Sequence, residues 1–243
     1  MLKFLPAHTI FAHRGASAYA PENTMAAFKL AIRQGIFWIE LDVKLSADNV
    51  VMVIHDQRVD RTTSGNGLVN NFTYSELKKL DAGSHFDIAF RNEPIPSLEE
   101  VFIEIRKSTL FNIELSNYKS PNDILPVKVA DLISTYRMNE RVLISSFNPI
   151  ALIRFHCILP EIPIGLLALP GIKGMWARSW IGNFLTYQSL HLEIKDISKD
   201  IISRNHNLDR KIFVYTVNNE DDMKRLFEMG VDGIFTDDPL LAR

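Results

Sequence analysis

Three carboxylates and two histidines stand at the ends of apolar runs in this chain. Glu40 and Asp42 lie two apart in the run 36–43, IFWIELDV. On a strand, residues i and i+2 point to the same face. Two like charges buried side by side cost several kcal/mol unless something offsets them. The simplest offset is a hard divalent cation, Mg²⁺ or Ca²⁺, which takes oxygen ligands. Glu114, near the end of the run 110–116, LFNIELS, could add a third oxygen. Solvent exposure or pairing with arginines is the plainer alternative, and for Glu40 and Asp42 alone it weighs equally.

His13 closes the run 9–13 and His55 closes the run 50–55. An imidazole titrates near neutrality, so two of them flanking a scissile bond can serve as base and acid. A single histidine at a strand end is more often structural; two beside carboxylates point to catalysis. Arg14 offers a planar fork for phosphate, or a salt bridge to Glu22 or Glu40. Of the other histidines, His8, His156 and His206 read as surface residues. His85 is expected to line a cleft, and His191 to face a pocket.

These residues need a scaffold that brings strand ends together. Strands are expected at 9–13, 37–43, 50–54, 110–115, 141–146, 162–167, 189–192, 211–217 and 232–235. Helices are expected at 25–33, capped by Asn23 or Thr24, and at 122–137, 149–158, 197–205 and 219–229. Ser97 and Glu100 form a capping box at another helix start. The stretch 171–184 reads as an irregular helix whose apolar residues pack. Near-continuous apolar strands alternating with helices imply a parallel sheet covered on both faces. The count favours a closed (β/α)₈ TIM barrel over an open sheet, as a single domain 1–243 with a small insertion at about 57–96.

Composition narrows the classes. At 243 residues and 47 % hydrophobic, the chain can bury a sizeable core. A net charge of −2 with no basic run argues against nucleic-acid binding. The single cysteine, Cys157, excludes an intramolecular disulfide and reads as a buried apolar residue in a helix. The N-terminal segment is broken by Pro6 and His8 and does not resemble a signal peptide. No run approaches the ~18 apolar residues of a membrane span. A cytoplasmic protein without stable membrane insertion is expected.

The ordered motifs carry a resemblance. His13-Arg14-Gly15, Pro21-Glu22-Asn23-Thr24, Glu40-Leu41-Asp42, Val53-Ile54-His55-Asp56 and Arg61-Thr62-Thr63 occur in series. Asp81-Ala82-Gly83-Ser84, Ile95-Pro96-Ser97-Leu98, Asn112-Ile113-Glu114, Ser145-Ser146-Phe147, Val214-Tyr215-Thr216-Val217-Asn218 and the segment 230–237 follow. Together they resemble the glycerophosphodiester phosphodiesterase family, particularly its cytoplasmic bacterial members. The resemblance implies a (β/α)₈ barrel with an insertion after the second barrel strand. It implies one divalent cation, Mg²⁺ or Ca²⁺, on Glu40, Asp42 and Glu114, and His13 and His55 as the acid/base pair. Arg14 corresponds to a phosphate contact, and Phe147 and Tyr215 to aromatic positions near the substrate. The implied reaction is hydrolysis of a small-molecule glycerophosphodiester, such as glycerophosphocholine, to glycerol 3-phosphate and an alcohol. The nucleophile is water, or the glycerol hydroxyl through a cyclic phosphate.

One position departs from the pattern. Many members carry a lysine two residues after the third carboxylate, where this chain has Ser116, with Lys119 nearby as a substitute. The departure keeps open a catalytically weak phosphodiester-binding barrel. The apolar stretch 172–187 keeps open a lysophospholipid-directed phosphodiesterase of the same superfamily.

Overall fold

A computed structural model describes residues 5–118 and 120–242; Lys119, the expected substitute cation, lies outside the described residues. The strands are short and buried along nearly their whole length, as strands covered on both faces must be. In chain order the first elements are β1 (Thr9–Ala12), α1 (Met25–Arg33), β2 (Trp38–Leu45), β3 (Val51–Val53), α2 (Tyr74–Leu77) and α3 (Leu98–Ile105). Then come β4 (Leu110–Leu115), α4 (Leu125–Thr135), β5 (Val142–Ser146), α5 (Pro149–Ile158), β6 (Ile164–Leu167) and α6 (Met175–Arg178). The last are β7 (Ser189–Glu193), α7 (Lys199–His206), β8 (Lys211–Tyr215), α8 (Glu220–Met229) and β9 (Gly233–Thr236).

Strand order closes on itself. β1 pairs with both β2 and β9, and the parallel chain of neighbours runs β2, β4, β5, β6, β7, β8, β9. This is the expected (β/α)₈ barrel. The extra strand, β3, runs antiparallel against the top of β2, with Val43 opposite Val53. It therefore folds back down beside β2, and His55 returns to the level of Asp42: Ile54 N–H donates to the Asp42 carbonyl at 2.9 Å.

Two apolar layers hold the barrel. Phe28, Val101, Phe102, Ile133, Leu152, Phe155 and Ile202 pack helices onto the outer face of the strands. Inside, Phe11, Trp38, Leu143, Phe213 and Phe235 form a plug. The Phe11 ring stacks 4.6 Å from Phe235 and lies 5.0 Å from both Trp38 and Phe213. Gly165 makes room for His191 in this layer: a Cβ there would meet Nε2 at 2.4 Å.

The helix signals hold in detail. Thr24 caps α1, accepting from Ala27 N–H, and Asn23 is left free for another purpose. Ser97 and Glu100 form the capping box of α3. The insertion between β3 and α3 has little regular structure but its own small core of Met52, Ile54, Val59, Val69, Leu77, Ala82 and Ile95. One expectation fails and another holds only in part. Cys157 is exposed, because α5 turns that position outward. The stretch after β6 forms short helical turns, and only part of it packs. Ile172, Met175, Trp180 and Phe184 are exposed there, while Trp176 packs on the core.

Candidate active site

The barrel register sets the acidic cluster. Glu40 stands opposite Asn112, and Asp42 opposite Glu114. All three carboxylates are buried and face the interior, and each offers an oxygen within 4.8 Å of the others. Burial disfavours their charged forms, and mutual repulsion adds to it. Glu114 is pushed up to about 8 by burial and by Asp42. Glu40 is held well above the usual carboxylate range by burial, Asp42 and Glu114. Asp42 goes the other way. Burial opposes its ionisation, but Arg14, His55 and the Asn23 hydrogen bond outweigh that and lower it. Hard oxygen donors, buried and under-compensated, are the donor set a divalent cation fits.

Arg14 is fixed from several sides. Its Nη1 donates to Glu22 Oε1 at 2.9 Å, its Nε lies 3.3 Å from Asp42 Oδ2, and its backbone N–H donates to Glu40 Oε2 at 2.9 Å. It adopts φ +56°, the left-handed region, which turns its backbone N–H onto Glu40. Asn23, also left-handed, clamps Asp42 twice: its Nδ2 donates to Oδ2 and its Oδ1 accepts from the Asp42 N–H.

Each histidine is oriented by a carboxylate. His13 Nδ1 lies 2.6 Å from Asp237 Oδ1, and His55 Nδ1 lies 2.7 Å from Asp56 Oδ1. A carboxylate on Nδ1 favours the tautomer with the proton there, which leaves Nε2 as the working nitrogen. Both carboxylates are themselves secured. Burial raises Asp237, but His13, Asn218 and Ser17 outweigh it and bring it to about 2. Asp56 also reaches about 2, against burial, through Arg61 and His55. Arg61 continues to Glu22, which binds Arg14, so one ionic chain ties the His55 arm to Arg14.

His13, Arg14, Glu40, His55 and Glu114 line one cavity of about 260 Å³ together with Asn112, Phe147, Leu167, His191 and Tyr215. Phe147 and Tyr215 face each other edge-on with centroids 6.1 Å apart, and the Tyr215 hydroxyl donates to the Ala168 carbonyl. His191 lines the wall as expected, but burial drives it to about 3, so it stays neutral. His85 is exposed on the insertion and is not among the residues lining this cavity. His206 is exposed and pairs with Asp232. Ser116 donates to Glu114 at 3.1 Å and to Asp42 at 3.4 Å, bridging two carboxylates.

The structure brings all eight candidate residues together, seven lining the cavity and Asp42 within the acidic cluster, and adds supports that had not been expected. Asp237 and Arg61 lay inside the quoted motifs without an assigned purpose; Asn23 was expected only as a cap, and Glu22 was expected to pair with Arg14, as it does. No local signal marks Asp237 or Arg61 as a support, since Asp237 reaches His13 and Arg61 reaches Glu22 only through the fold. Lys44 was missed altogether, although it continues the inward row of Glu40 and Asp42 on β2.

Residues 13–241 match the sequence pattern of the glycerophosphoryl diester phosphodiesterase family. The chain belongs to that family. A glycerophosphodiester phosphodiesterase of Caldanaerobacter subterraneus is 42 % identical over 231 residues, covering 95 % of this chain and 94 % of the relative. One from Bacillus altitudinis is 39 % identical over 238 residues, with 95 % and 94 % covered. Among solved structures, an Oleispira antarctica phosphodiesterase in complex with the product sn-glycerol-3-phosphate is 32 % identical. It superposes with a TM-score of 0.89, covering 98 % of this chain and 96 % of that one. In this family setting, the buried acidic cluster is a site that could hold a metal ion.

Proposed function

We propose that this phosphodiesterase cleaves small glycerophosphodiesters, glycerophosphocholine among them, to glycerol 3-phosphate and an alcohol, with His13 as base and His55 as acid. The observation that carries the reading is the pair of imidazoles, each tied at Nδ1 to a carboxylate, lining one cavity with the acidic cluster. Glu40, Asp42 and Glu114 would hold one Mg²⁺ or Ca²⁺, which when bound neutralises charge on a phosphate oxygen. Arg14 adds a fixed positive charge on the phosphate side, and its bonds to Glu22 and Asp42 keep it from rotating away. His13 Nε2 takes the proton from the attacking oxygen, and Asp237 stabilises the resulting imidazolium. His55, carrying its proton on Nε2, gives it to the departing alkoxide. Phe147 and Tyr215 shape the glycerol side of the cavity. The product named for the Oleispira structure supports this choice of substrate. The chain works as one domain in the cytoplasm; no helix among the described residues is long and apolar enough to cross a membrane.

A coupled assay for glycerol 3-phosphate tests this. Turnover should require a divalent cation, vanish with chelator and return on adding Mg²⁺ or Ca²⁺. His13→Ala and His55→Ala should each lose about 10²–10⁴-fold while staying folded. Full turnover by either folded variant sinks the assignment. Absence of turnover by the unaltered protein would favour a barrel that binds without reacting.

One observation favours a second reading. The exposed side chains of Ile172, Met175, Trp180 and Phe184 suit a lysophospholipid substrate presented at a lipid surface. A higher rate on lysophosphatidylcholine than on glycerophosphocholine would select it.

A further inference from the structure

A second cavity, of about 360 Å³, lies beside the acidic cluster. Ser116 and Lys44 form the wall it shares with the cluster, and Gln57, Asn70, Asn117 and Asp123 line it further out. Glu114 faces the catalytic cavity, while Ser116 faces this one. They are two residues apart on one chain, about 6.6 Å along an extended strand. The other edge repeats the pattern: His55 lines the catalytic cavity and Gln57 lines the second.

Lys44 is the unusual group here. It continues the inward row of Glu40 and Asp42 and is 7 % exposed. Its Nζ donates to the Ser116 carbonyl at 2.7 Å and lies 5.6 Å from the Tyr118 ring centroid. Among the described residues no carboxylate forms an ion pair with it. An ammonium has three donors, and a buried one without an anion is costly. Asp123, the carboxylate on the same wall, is already engaged: it accepts from Asn117 Nδ2, Ser120 Oγ and Leu125 N–H. Asp42, Glu114, Asp56 and Asp123 act on this ammonium from beyond ion-pair distance, and beside its bond to the Ser116 carbonyl it keeps donor capacity on the wall of the second cavity.

We propose that this second cavity receives the alcohol half of the substrate, and that Lys44 selects alcohols carrying their own anionic group, a carboxylate or a second phosphate. The inference rests on the phosphodiesterase reading above. With the phosphate at the acidic cluster and glycerol against Phe147 and Tyr215, the alcohol leaves on the His55 side, towards Gln57. That direction agrees with His55 as the acid.

The test compares glycerophosphoserine, whose alcohol bears a carboxylate, with glycerophosphocholine, on unaltered enzyme and Lys44→Met. The expected result is a loss in kcat/KM of about tenfold or more on glycerophosphoserine, as when a charged hydrogen bond is removed. Glycerophosphocholine should change by less than about threefold. Equal losses on both substrates overturn the proposal, because Lys44 would then serve the phosphate or the fold; unchanged rates on both also overturn it. Should Lys44→Met fail to fold, Ala47→Trp at the exposed rim of the same cavity carries the test. It should raise KM for glycerophosphoinositol, with its bulky alcohol, and an unchanged KM overturns the subsite. Failure of the unaltered enzyme on every diester would instead sink the underlying phosphodiesterase reading.

Discussion

At the scale of single residues, the site depends on side chains that never face the cavity. Asp237 is the clearest. It binds His13 Nδ1 and is held by Ser17 and Asn218. Replacing it by asparagine keeps the size but removes the charge that fixes the tautomer and stabilises the imidazolium. Asp237→Asn should lower kcat at least about tenfold with little change in KM, since the loss falls on proton transfer. Equal kcat in the variant would show that Asp237 only packs. The primary residues were legible in the sequence because their types are rare at strand ends. Asp237 was not, because an aspartate after a strand is common, and its 224-residue separation from His13 is closed only by the barrel.

Elements explain the remaining successes and failures. Strand positions were legible because apolar runs of fixed length recur, and the capping box of α3 is a local signal. The stretch after β6 was not, since apolar content alone does not say which side chains find a surface to pack on. The register was not legible either, yet it decides that Asp42 faces Glu114. Gly165 shows how tightly the strands constrain one another. Its missing Cβ leaves space for His191 Nε2 and Ser189 Oγ. Gly165→Ala should overpack β6 against β7 and cost about 1–3 kcal/mol in urea unfolding. An unchanged midpoint would mean that the buried imidazole moves aside freely.

For the whole molecule, the acidic cluster links stability to pH and to cation. Glu114 is raised from 4.5 to about 8, and Glu40 is raised too. The cation-free protein therefore keeps protons that the unfolded chain has released. Its stability should fall as pH climbs from about 4.5 towards about 8. Asp42 is lowered, so its contribution fades only in acid, below that window. A bound divalent cation takes the place of those protons. In chelator, the melting temperature should drop between pH 5 and pH 8, the window set by Glu114, and Mg²⁺ or Ca²⁺ should raise it more at the upper end. Equal stabilisation at both ends would contradict the linkage.

The folding-back of β3 gives the two histidines different custodians. His13 belongs to the closed ring of strands, whereas His55 hangs from a lobe with its own small core. Regions with separate cores can open separately. The proposed acid/base pair then exists only while two structural units are closed at once. The lobe is thus a second half of the proposed site, joined to the charged cluster through Ile54 on the Asp42 carbonyl and through Arg61 on Glu22.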